Sequence, residues 1–197
     1  MAVRLVFMTR HGETDWNFEG RWQGHTDIAL NEKGRAQARG IAERLRGAGL
    51  AGLVSSDLSR ARETAEIVGS ALGLGVAYAD ADLRERTFGV FEGLTRVECE
   101  RLHPEAWRAW VEEQRPAQGV EAPSAVAARV TTAIGRAAER IARDGAPVLL
   151  VSHGGALRSV VREATGAPVG PIANGAIWRL EWDAVAGIVR AEAVVDA

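Results

Sequence analysis

The residues most suited to chemistry form an eight-residue run near the amino end, Arg10-His11-Gly12-Glu13-Thr14-Asp15-Trp16-Asn17. The run directly follows the apolar residues 5–8, which predict a buried strand. A guanidinium beside an imidazole suits a phosphate dianion, because one group can clamp the oxygens while the other attacks phosphorus. Gly12 lets the backbone turn sharply where a side chain would block a ligand. The run therefore indicates phosphoryl chemistry.

A second histidine, His153, has a similar position in the sequence. It follows the apolar residues 148–151 and precedes Gly154, Gly155 and a predicted helix. We expect the amides of the two glycines to lie near the N-terminus of that helix, which is a natural anion site. A lone histidine at a strand end more often caps a turn. The equivalent position of His11 favours a paired role for the two imidazoles.

Arg60 is a third candidate, and its position supports two interpretations equally. It lies in the first turn of a helix predicted to open at Asp57. The helix macrodipole disfavours a cation there by about 0.3–1 kcal/mol. An anion bound ahead of the helix would explain the placement. A solvated side chain in an arginine-rich chain would explain it too, since Lys33 is the only lysine among 24 Lys and Arg residues.

Glu85 is the candidate acid for protonating a leaving oxygen. A bound dianion favours the protonated carboxyl, whereas the arginines on either side favour the carboxylate, so its protonation state stays open. Asp80, Asp82 and Glu92 are nearby rivals. A surface salt bridge is the simpler interpretation of any of them.

The elements that must position these residues alternate between strands and helices. Strands are predicted over residues 4–9, 52–55, 76–79, 147–152, 177–182 and 188–195. Helices are predicted over 31–45, 57–72, 94–113 with a break at Pro104, 126–141 and 156–165, and residues 114–123 are predicted to form an exposed loop. This alternation predicts an α/β fold, a three-layer α/β/α sandwich with a mostly parallel central sheet. Ligands bind beyond the carboxyl ends of such strands. The three polar strand ends, residues 10–12, 55–57 and 152–155, should therefore converge on one pocket.

Size and composition indicate one soluble domain spanning residues 1–197. The chain is 47% hydrophobic and 25% charged, and it shows neither a stretch of about 20 apolar residues nor a secretory pattern at its start. Cys99 is the only cysteine, which excludes an intrachain disulfide and a Cys-based zinc site. A cytoplasmic location and no membrane partner are expected. The net charge of −2 argues against nonspecific nucleic-acid binding.

Sequence motifs for other chemistries are absent. The chain contains no nucleotide-binding glycine loop, no His-Glu-x-x-His and no Gly-x-Ser-x-Gly. Spacing leaves open a metal site that uses His11, His25 or His153 with carboxylates, although no short interval matches a metal motif. Four aromatic residues are candidates for pocket walls or for the core: Phe18, Trp22, Trp107 and Trp110.

Together, these segments resemble the histidine phosphatase superfamily, in its phosphoglycerate-mutase-like branch. The family's Arg-His-Gly-x-Thr-x-x-Asn matches residues 10–17, and its Gln-Gly matches Gln23-Gly24. The pattern Asp-x-Leu-Asn-x-x-Gly corresponds to residues 27–34, which are one residue longer. Residues 55–61 resemble the second arginine segment, residues 83–94 the acid segment, and 152–155 the second histidine.

The resemblance implies a role for each candidate. His11 would be the nucleophile that forms a phosphohistidine, and Glu85 would protonate the leaving alcohol and then activate water. Arg10, Arg60 and His153 would bind the phosphoryl oxygens. The remaining contacts to phosphate or substrate would come from Asn17, Gln23, Gly24 and the Gly154 amide. No metal or other cofactor is implied, and the family suggests a homodimer.

One departure from the family pattern concerns a Gly-Gly-Glu-Ser turn before a long helix. Here residues 119–124 read Gly-Val-Glu-Ala-Pro-Ser, so Ala122 replaces the capping serine. Pro123 at the first helical position would compensate. A substrate contact by Glu121 is therefore not expected.

Three functions fit the resemblance. The first is a phosphomonoesterase acting on small phosphorylated metabolites, and the second is a mutase that needs a bisphosphate primer. Glycolytic mutases of the family are longer, with an inserted segment and a tail that shields the site, which favours the phosphatase. The third is a noncatalytic phospholigand-binding module, against which the retained His11, Glu85 and His153 argue.

Overall fold

The central sheet of the protein has six strands and is mostly parallel. The computed structural model describes residues 3–113, 115, 117–142 and 145–194. The strands are β1 (Arg4–Arg10), β2 (Gly52–Ser55), β3 (Val76–Ala79), β4 (Val148–Ser152), β5 (Ile177–Asp183) and β6 (Gly187–Val194). Their order is β3-β2-β4-β1-β5-β6. The pairs β3–β2, β2–β4 and β4–β1 are parallel, whereas β1–β5 and β5–β6 are antiparallel. All six predicted strands are present, although Val195 lies outside the described residues.

Helices cover both faces of this sheet, which confirms the predicted sandwich. They are α1 (Asp15–Phe18), α2 (Glu32–Arg44), α3 (Ser59–Leu72), α4 (Arg96–Leu102), α5 (Pro104–Val111), α6 (Pro123–Arg140) and α7 (Gly154–Thr165). The predicted break at Pro104 separates α4 from α5, with the proline in the first turn of α5. Within the described residues, no helix combines the length and the apolarity that a membrane span requires.

Strand β4 shows how the two faces are assigned. Its side chains alternate, because successive residues of a strand point to opposite faces. Val148 and Leu150 pack with α6 and α7, whereas Leu149 and Val151 pack with α2 and α3. All five residues of β4 are buried, as expected for a central strand with helices on both faces. The two cores hold the carboxyl ends of β1 and β4 side by side.

The start of α3 differs from the prediction. Asp57 does not cap this helix; its carboxylate forms an ion pair with Arg84 at 2.6 Å. The helix begins at Ser59, after an N-cap Leu58 that has no side-chain cap. The capping carboxylate is that of Asp27, whose Oδ1 accepts from the Ser59 amide at 2.8 Å. A local pattern could not predict a cap supplied from a separate loop.

An aromatic cluster lies apart from the sheet, around α4 and α5. Phe88, Phe91 and Trp107 are buried in it, with Trp22 and Trp110 packed against them. The exposed loop predicted over 114–123 is wrong for part of its length: its residue 117 is buried in this cluster, and its residue 120 forms a β-bridge with Phe88. This part of the loop is ordered because its apolar residues pack against the aromatic cluster, which the mostly polar local composition does not indicate. Residues 114 and 116 of that loop lie outside the described residues.

Candidate active site

The predicted convergence holds for two of the three polar strand ends, which form a cavity of about 480 Å³ at the carboxyl ends of β1 and β4. The third, residues 55–57, does not line this cavity, although Arg60 in the following helix does. Seven of the nine candidate residues line it: Arg10, His11, Asn17, Gln23, Arg60, Glu85 and Gly154. The other two are placed differently. His153 is fully buried with its ring 5.0 Å from that of His11, and Gly24 lies behind Arg60.

His11 is held as a neutral imidazole. Its Nδ1 lies 2.6 Å from the carbonyl oxygen of Gly12, an acceptor, so Nδ1 carries the proton and Nε2 keeps its lone pair. Burial lowers the pKa of His11 well below its usual value, and the positive charges of Arg60 and Arg10 lower it further. A neutral imidazole with a free Nε2 can act as a nucleophile.

Two glycines allow the loop that carries His11 to pack tightly against the start of α2. A Cβ on Gly12 would lie 2.2 Å from the carbonyl oxygen of Gly34, and a Cβ on Gly34 would lie 2.1 Å from that of Glu13. Such contacts are impossible, so both positions require glycine. The Gly12 amide also donates to Thr64 Oγ1 at 3.1 Å. The backbone around His11 is therefore fixed from two sides.

Arg60 is completely buried, although it is one of the largest side chains in the protein. Its Nη1 and Nη2 donate to the carbonyls of Thr26 and Gly24 at 2.9 and 2.8 Å, and its Nε donates to His153 Nδ1 at 3.2 Å. Burial lowers the pKa of Arg60 to about 10, which keeps it charged at neutral pH. The solvated interpretation of this arginine is wrong.

The bond from Arg60 also sets the tautomer of His153. Because Nδ1 accepts, the neutral ring carries its proton on Nε2. That Nε2 is buried and has no hydrogen-bond partner among the described residues. Burial lowers the pKa of His153 well below its usual value, with Arg60 adding to the effect. A buried donor without a partner is costly, so it suits an oxygen of a bound anion.

Arg10, Gln23 and Trp22 carry the other unsatisfied atoms of the cavity lining, and that of Trp22 is the indole Nε1. Arg10 Nη1 donates to the Ile172 carbonyl at 2.6 Å, but Nε is buried without a partner in the described structure. Gln23 Oε1 is likewise buried without a partner. A Cβ on Gly154 would lie 3.1 Å from Arg10 Nε, so the glycine leaves room for the guanidinium. These atoms concentrate unused hydrogen-bonding capacity beside His11.

Glu85 is the carboxylate that reaches the cavity. Its Oε2 accepts from the Gly155 amide, and its Oε1 accepts from the amides of Ala156 and Arg86, all at 2.8–2.9 Å. The carboxylate therefore caps α7, where the helix dipole favours negative charge. The Gly155 amide, expected at an anion site, is already occupied by this side chain. The helix begins at Gly154, two residues before the predicted start.

The three rivals of Glu85 have other partners. Asp80 and Asp82 form ion pairs with Arg136 at 2.8 and 2.6 Å. Glu92 accepts from the amides of His25 and Thr26, and it holds the loop that supplies two carbonyls to Arg60. None of the three lines the cavity within the described residues.

Asn174 contributes to the site, although the residues around it in the sequence do not indicate a functional role. Its Nδ2 donates to the backbone carbonyl of His11 at 3.0 Å and to Asn17 Oδ1 at 3.1 Å. Asn17 in turn forms a capping box with Thr14 at the start of α1. An Asn-Gly pair before a strand indicates only a turn, so the contact could not be foreseen.

The departure at Ala122 has the expected outcome. Ala122 is the N-cap of α6 without a side-chain bond, and Pro123 occupies the first turn. Glu121 points to Arg129 rather than to the cavity, with both oxygens 2.8 Å from the guanidinium. Arg129 also donates to the Glu85 carbonyl at 3.0 Å, so the pair supports the backbone of Glu85.

Aromatic side chains form one wall of the cavity. Trp22, Phe88 and Trp110 line it, and the rings of Trp22 and Phe88 lie 4.6 Å apart. Trp107 belongs to the cluster behind them, while Phe18 is 80% exposed and does not line the cavity. Among the described residues, no group of three or more His, Cys, Asp or Glu side chains is placed to hold a metal ion.

Comparisons with known proteins show the family to which the chain belongs. The model of the histidine phosphatase superfamily (branch 1) matches residues 6–192. Phosphoglycerate mutase-like protein 4 of Arabidopsis thaliana is 38% identical over 163 residues, which span 81% of this chain and 70% of that protein.

Solved structures match over almost the full length. A mycobacterial glucosyl-3-phosphoglycerate phosphatase in complex with VO3 superposes with a TM-score of 0.82 at 33% identity, covering 98% of each chain. A putative alpha-ribazole-5'-P phosphatase from Escherichia coli has a TM-score of 0.80 at 26% identity, covering 98% of this chain and 96% of that one. On these grounds the chain belongs to the histidine phosphatase superfamily, branch 1.

Proposed function

We propose that this protein is a phosphomonoester hydrolase that acts on small phosphorylated metabolites through a phosphohistidine at His11. The observation that carries the proposal is the state of His11, a neutral imidazole with a free Nε2 at a cavity lined by Arg10 and Arg60. The solved relatives named as phosphatases support the hydrolytic activity.

In the first step, Nε2 of His11 attacks phosphorus and the bond from phosphorus to the ester oxygen breaks. The negative charge that develops on the phosphoryl oxygens is stabilised by donors already in place. Arg10 Nε and His153 Nε2 each have an unsatisfied N–H, and Arg60 supplies charge and its remaining N–H groups. The imidazole needs no base, because it is neutral before the attack.

Glu85 supplies the proton for the leaving alcohol. The carboxylate takes up this proton from solvent as the phosphate ester binds, and it passes the proton to the ester oxygen when the bond to phosphorus breaks. After the alcohol departs, the carboxylate takes a proton from water, whose oxygen attacks phosphorus and breaks the bond to Nε2. The products are inorganic phosphate and the alcohol, with His11 and Glu85 restored.

The substrate-binding set consists of Asn17, Gln23, Gly24 and Gly154. Asn17, Gln23 and Gly154 line the cavity, which supports direct contact. Gly24 acts through Arg60, since its carbonyl accepts from Nη2 and a Cβ at this position would collide with the carboxylate of Glu92.

The test is hydrolysis of a chromogenic phosphate ester by wild type and by His11→Ala, with and without a chelator. We expect hydrolysis in the presence of the chelator and its loss in the variant. Unchanged activity in His11→Ala would overturn the assignment of His11 as the nucleophile. Loss of activity only when the chelator is added would indicate a metal enzyme. Metal independence is thus part of the proposal.

A mutase is the second candidate, favoured by the relative named as phosphoglycerate mutase-like. Incubation with 3-phosphoglycerate and a bisphosphate primer distinguishes the two. Formation of the 2-isomer would establish a mutase, whereas release of inorganic phosphate supports the hydrolase.

Three further properties belong to this proposal. We expect residues 1–197 to form one domain, the protein to act in the cytoplasm, and two chains to form a homodimer. Light scattering on the purified protein measures the last of these directly, since a monomer mass would contradict it.

A further inference from the structure

The cavity carries more positive charge than one phosphoryl group requires. Its lining contains six arginines: Arg10, Arg21, Arg60, Arg86, Arg158 and Arg162. Glu85 is the one carboxylate among the described lining residues. Arg21 is neutralised by ion pairs with Glu19 and Glu98, at 2.7 and 2.6 Å. The other five have no ion-pair partner in the part of the chain that the structure describes.

Two of these five, Arg10 and Arg60, are the arginines whose charges act on His11, and the other three also line the cavity. Arg10 and Arg60 account for the charge of a phosphate dianion beside His11. The remaining three, Arg86, Arg158 and Arg162, are here called the arginine rim. The proposed hydrolysis leaves this rim without a function.

The rim brings like charges close together. Arg158 and Arg162 are four residues apart on α7, so they share one face of the helix and repel each other. Burial lowers the pKa of Arg86, and the positive charge of Arg158 adds to that lowering, although Glu85 and Glu121 oppose it. Such repulsion is relieved when an anion binds between the charges.

Neutral groups hold two of the three side chains in place. Arg86 Nε donates to the Glu121 carbonyl at 2.5 Å, and its guanidinium lies 5.6 Å from the Trp110 ring centroid. Arg158 Nε donates to the Val169 carbonyl at 2.7 Å. These contacts orient the guanidinium groups without cancelling their charge. Their terminal N–H groups form no hydrogen bond with any described residue, so they are available to a ligand.

Helix α7 also sets the distance between the two sites. Gly154, at its start, adjoins Arg10 at the phosphoryl site. At about 1.5 Å per residue, Arg158 and Arg162 lie roughly 6 and 12 Å further along the helix axis. An anionic group that meets Arg158 is therefore several bonds away from the phosphoester, and one that meets Arg162 is further away.

We propose that the arginine rim binds a second anionic group of the substrate, so that the enzyme prefers phosphomonoesters that also carry a carboxylate or another phosphate. This inference rests on the proposed phosphatase activity, which supplies the site for the first phosphate. The aromatic wall of Trp22, Phe88 and Trp110 borders the space between the two anions.

Three esters on one three-carbon skeleton test the proposal. Glycerol 3-phosphate has no second anionic group, 3-phosphoglycerate adds a carboxylate, and glycerol 1,3-bisphosphate adds a phosphate. We expect kcat/KM to be about tenfold or more higher for at least one of the last two, mainly through KM. A gain with the carboxylate, the bisphosphate or both identifies which anion the rim accepts. The gain should shrink as salt is raised, since the rim is partly exposed.

Variants test whether the arginine rim causes the preference for esters with a second anionic group. We expect Arg158→Gln combined with Arg162→Gln to lower the preference by about tenfold. Arg162→Gln alone, which removes no hydrogen bond among the described residues, should lower it by about threefold. The control is Arg39→Gln combined with Arg101→Gln, which removes the same charge from two exposed arginines outside the cavity and should keep the preference.

The outcomes separate this inference from the proposed function. Equal kcat/KM for all three esters in wild type, or an undiminished preference in the double rim variant, would overturn the inference while phosphatase activity remained. If His11→Ala hydrolysed all three esters as fast as wild type does, the proposed function would be overturned instead.

Discussion

Arg60 and His153 are joined by a hydrogen bond of 3.2 Å between Nε and Nδ1, which links the first turn of α3 to the N-cap of α7. The bond assigns the proton of His153 to Nε2, the atom without a partner in the described structure. A residue 93 positions away in the sequence thus determines which nitrogen of His153 carries the proton.

We predict that Arg60→Lys lowers kcat/KM by about a hundred- to a thousandfold. A single ammonium cannot reproduce three donors directed at His153 and the carbonyls of Gly24 and Thr26. Steady-state hydrolysis of a chromogenic ester measures the loss. Arg62→Lys, at an exposed arginine that pairs with Glu66 at 3.8 Å, is the control and should retain activity. Equal rates in the two variants would refute the role of Arg60.

Stability should fall as the pH decreases below about 6.5, because the folded protein keeps His11 and His153 neutral. Their pKa values are depressed on folding, so the unfolded chain binds more protons in this window and acid favours unfolding. The expected loss by pH 5 is up to about 2 kcal/mol per histidine.

Urea unfolding at pH 7 and pH 5 measures that effect. His11→Gln and His153→Gln should each lose less stability between the two pH values than wild type. The control His103→Gln, which changes a partly buried histidine outside the cavity, should behave as wild type. An unchanged pH dependence in both site variants would contradict the buried neutral pair.

Much of this site could be predicted from the sequence, because strand ends and glycines are local signals. Such signals indicate His11 and His153, whereas only the resemblance to the family singles out Glu85 from its neighbouring carboxylates. The structure places His11 and Glu85 at the cavity and buries His153 with its ring 5.0 Å from that of His11. The contact of Asn174 with His11 could not be foreseen, since it joins residues 163 positions apart. The cap of α3 was assigned wrongly for the same reason: its carboxylate belongs to a distant loop.

Glu85→Gln should separate the two chemical steps. The variant keeps an acceptor for the α7 amides but can neither donate a proton to an alcohol nor accept one from water. We expect hydrolysis of alkyl phosphates to fall by about a hundred- to ten-thousandfold, and that of an ester with a good leaving group to become limited by dephosphorylation.

A pre-steady-state burst of the released phenol measures this change in the limiting step. Glu92→Gln is the comparison, because Glu92 bonds backbone amides outside the cavity and should show no such burst. Two results together would count against the acid–base role of Glu85. In Glu85→Gln, the hydrolysis rates of alkyl and activated esters would fall by the same factor relative to wild type, and no burst would appear.

Two glycines of α2 offer a matched test of the close approach to the His11 loop. Gly34→Ala places a Cβ 2.1 Å from the Glu13 carbonyl and should destabilise the fold by more than about 1 kcal/mol and lower activity. Gly40→Ala has nothing within 4 Å of its Cβ and should stabilise by about 0.5–1 kcal/mol. Thermal unfolding compares the two variants. Equal shifts of the unfolding temperature in both would show that the close packing of the His11 loop against α2 does not require glycine at position 34.

The most direct measurement is chemical trapping of the phosphoenzyme. Wild type is mixed with radiolabelled phenyl phosphate, quenched in alkali within milliseconds, digested and mapped. We expect label on the peptide that contains His11, with the acid lability and alkali stability of a phosphohistidine, and no label in His11→Ala. Turnover of the ester without label on His11, or with label on another side chain, would contradict it.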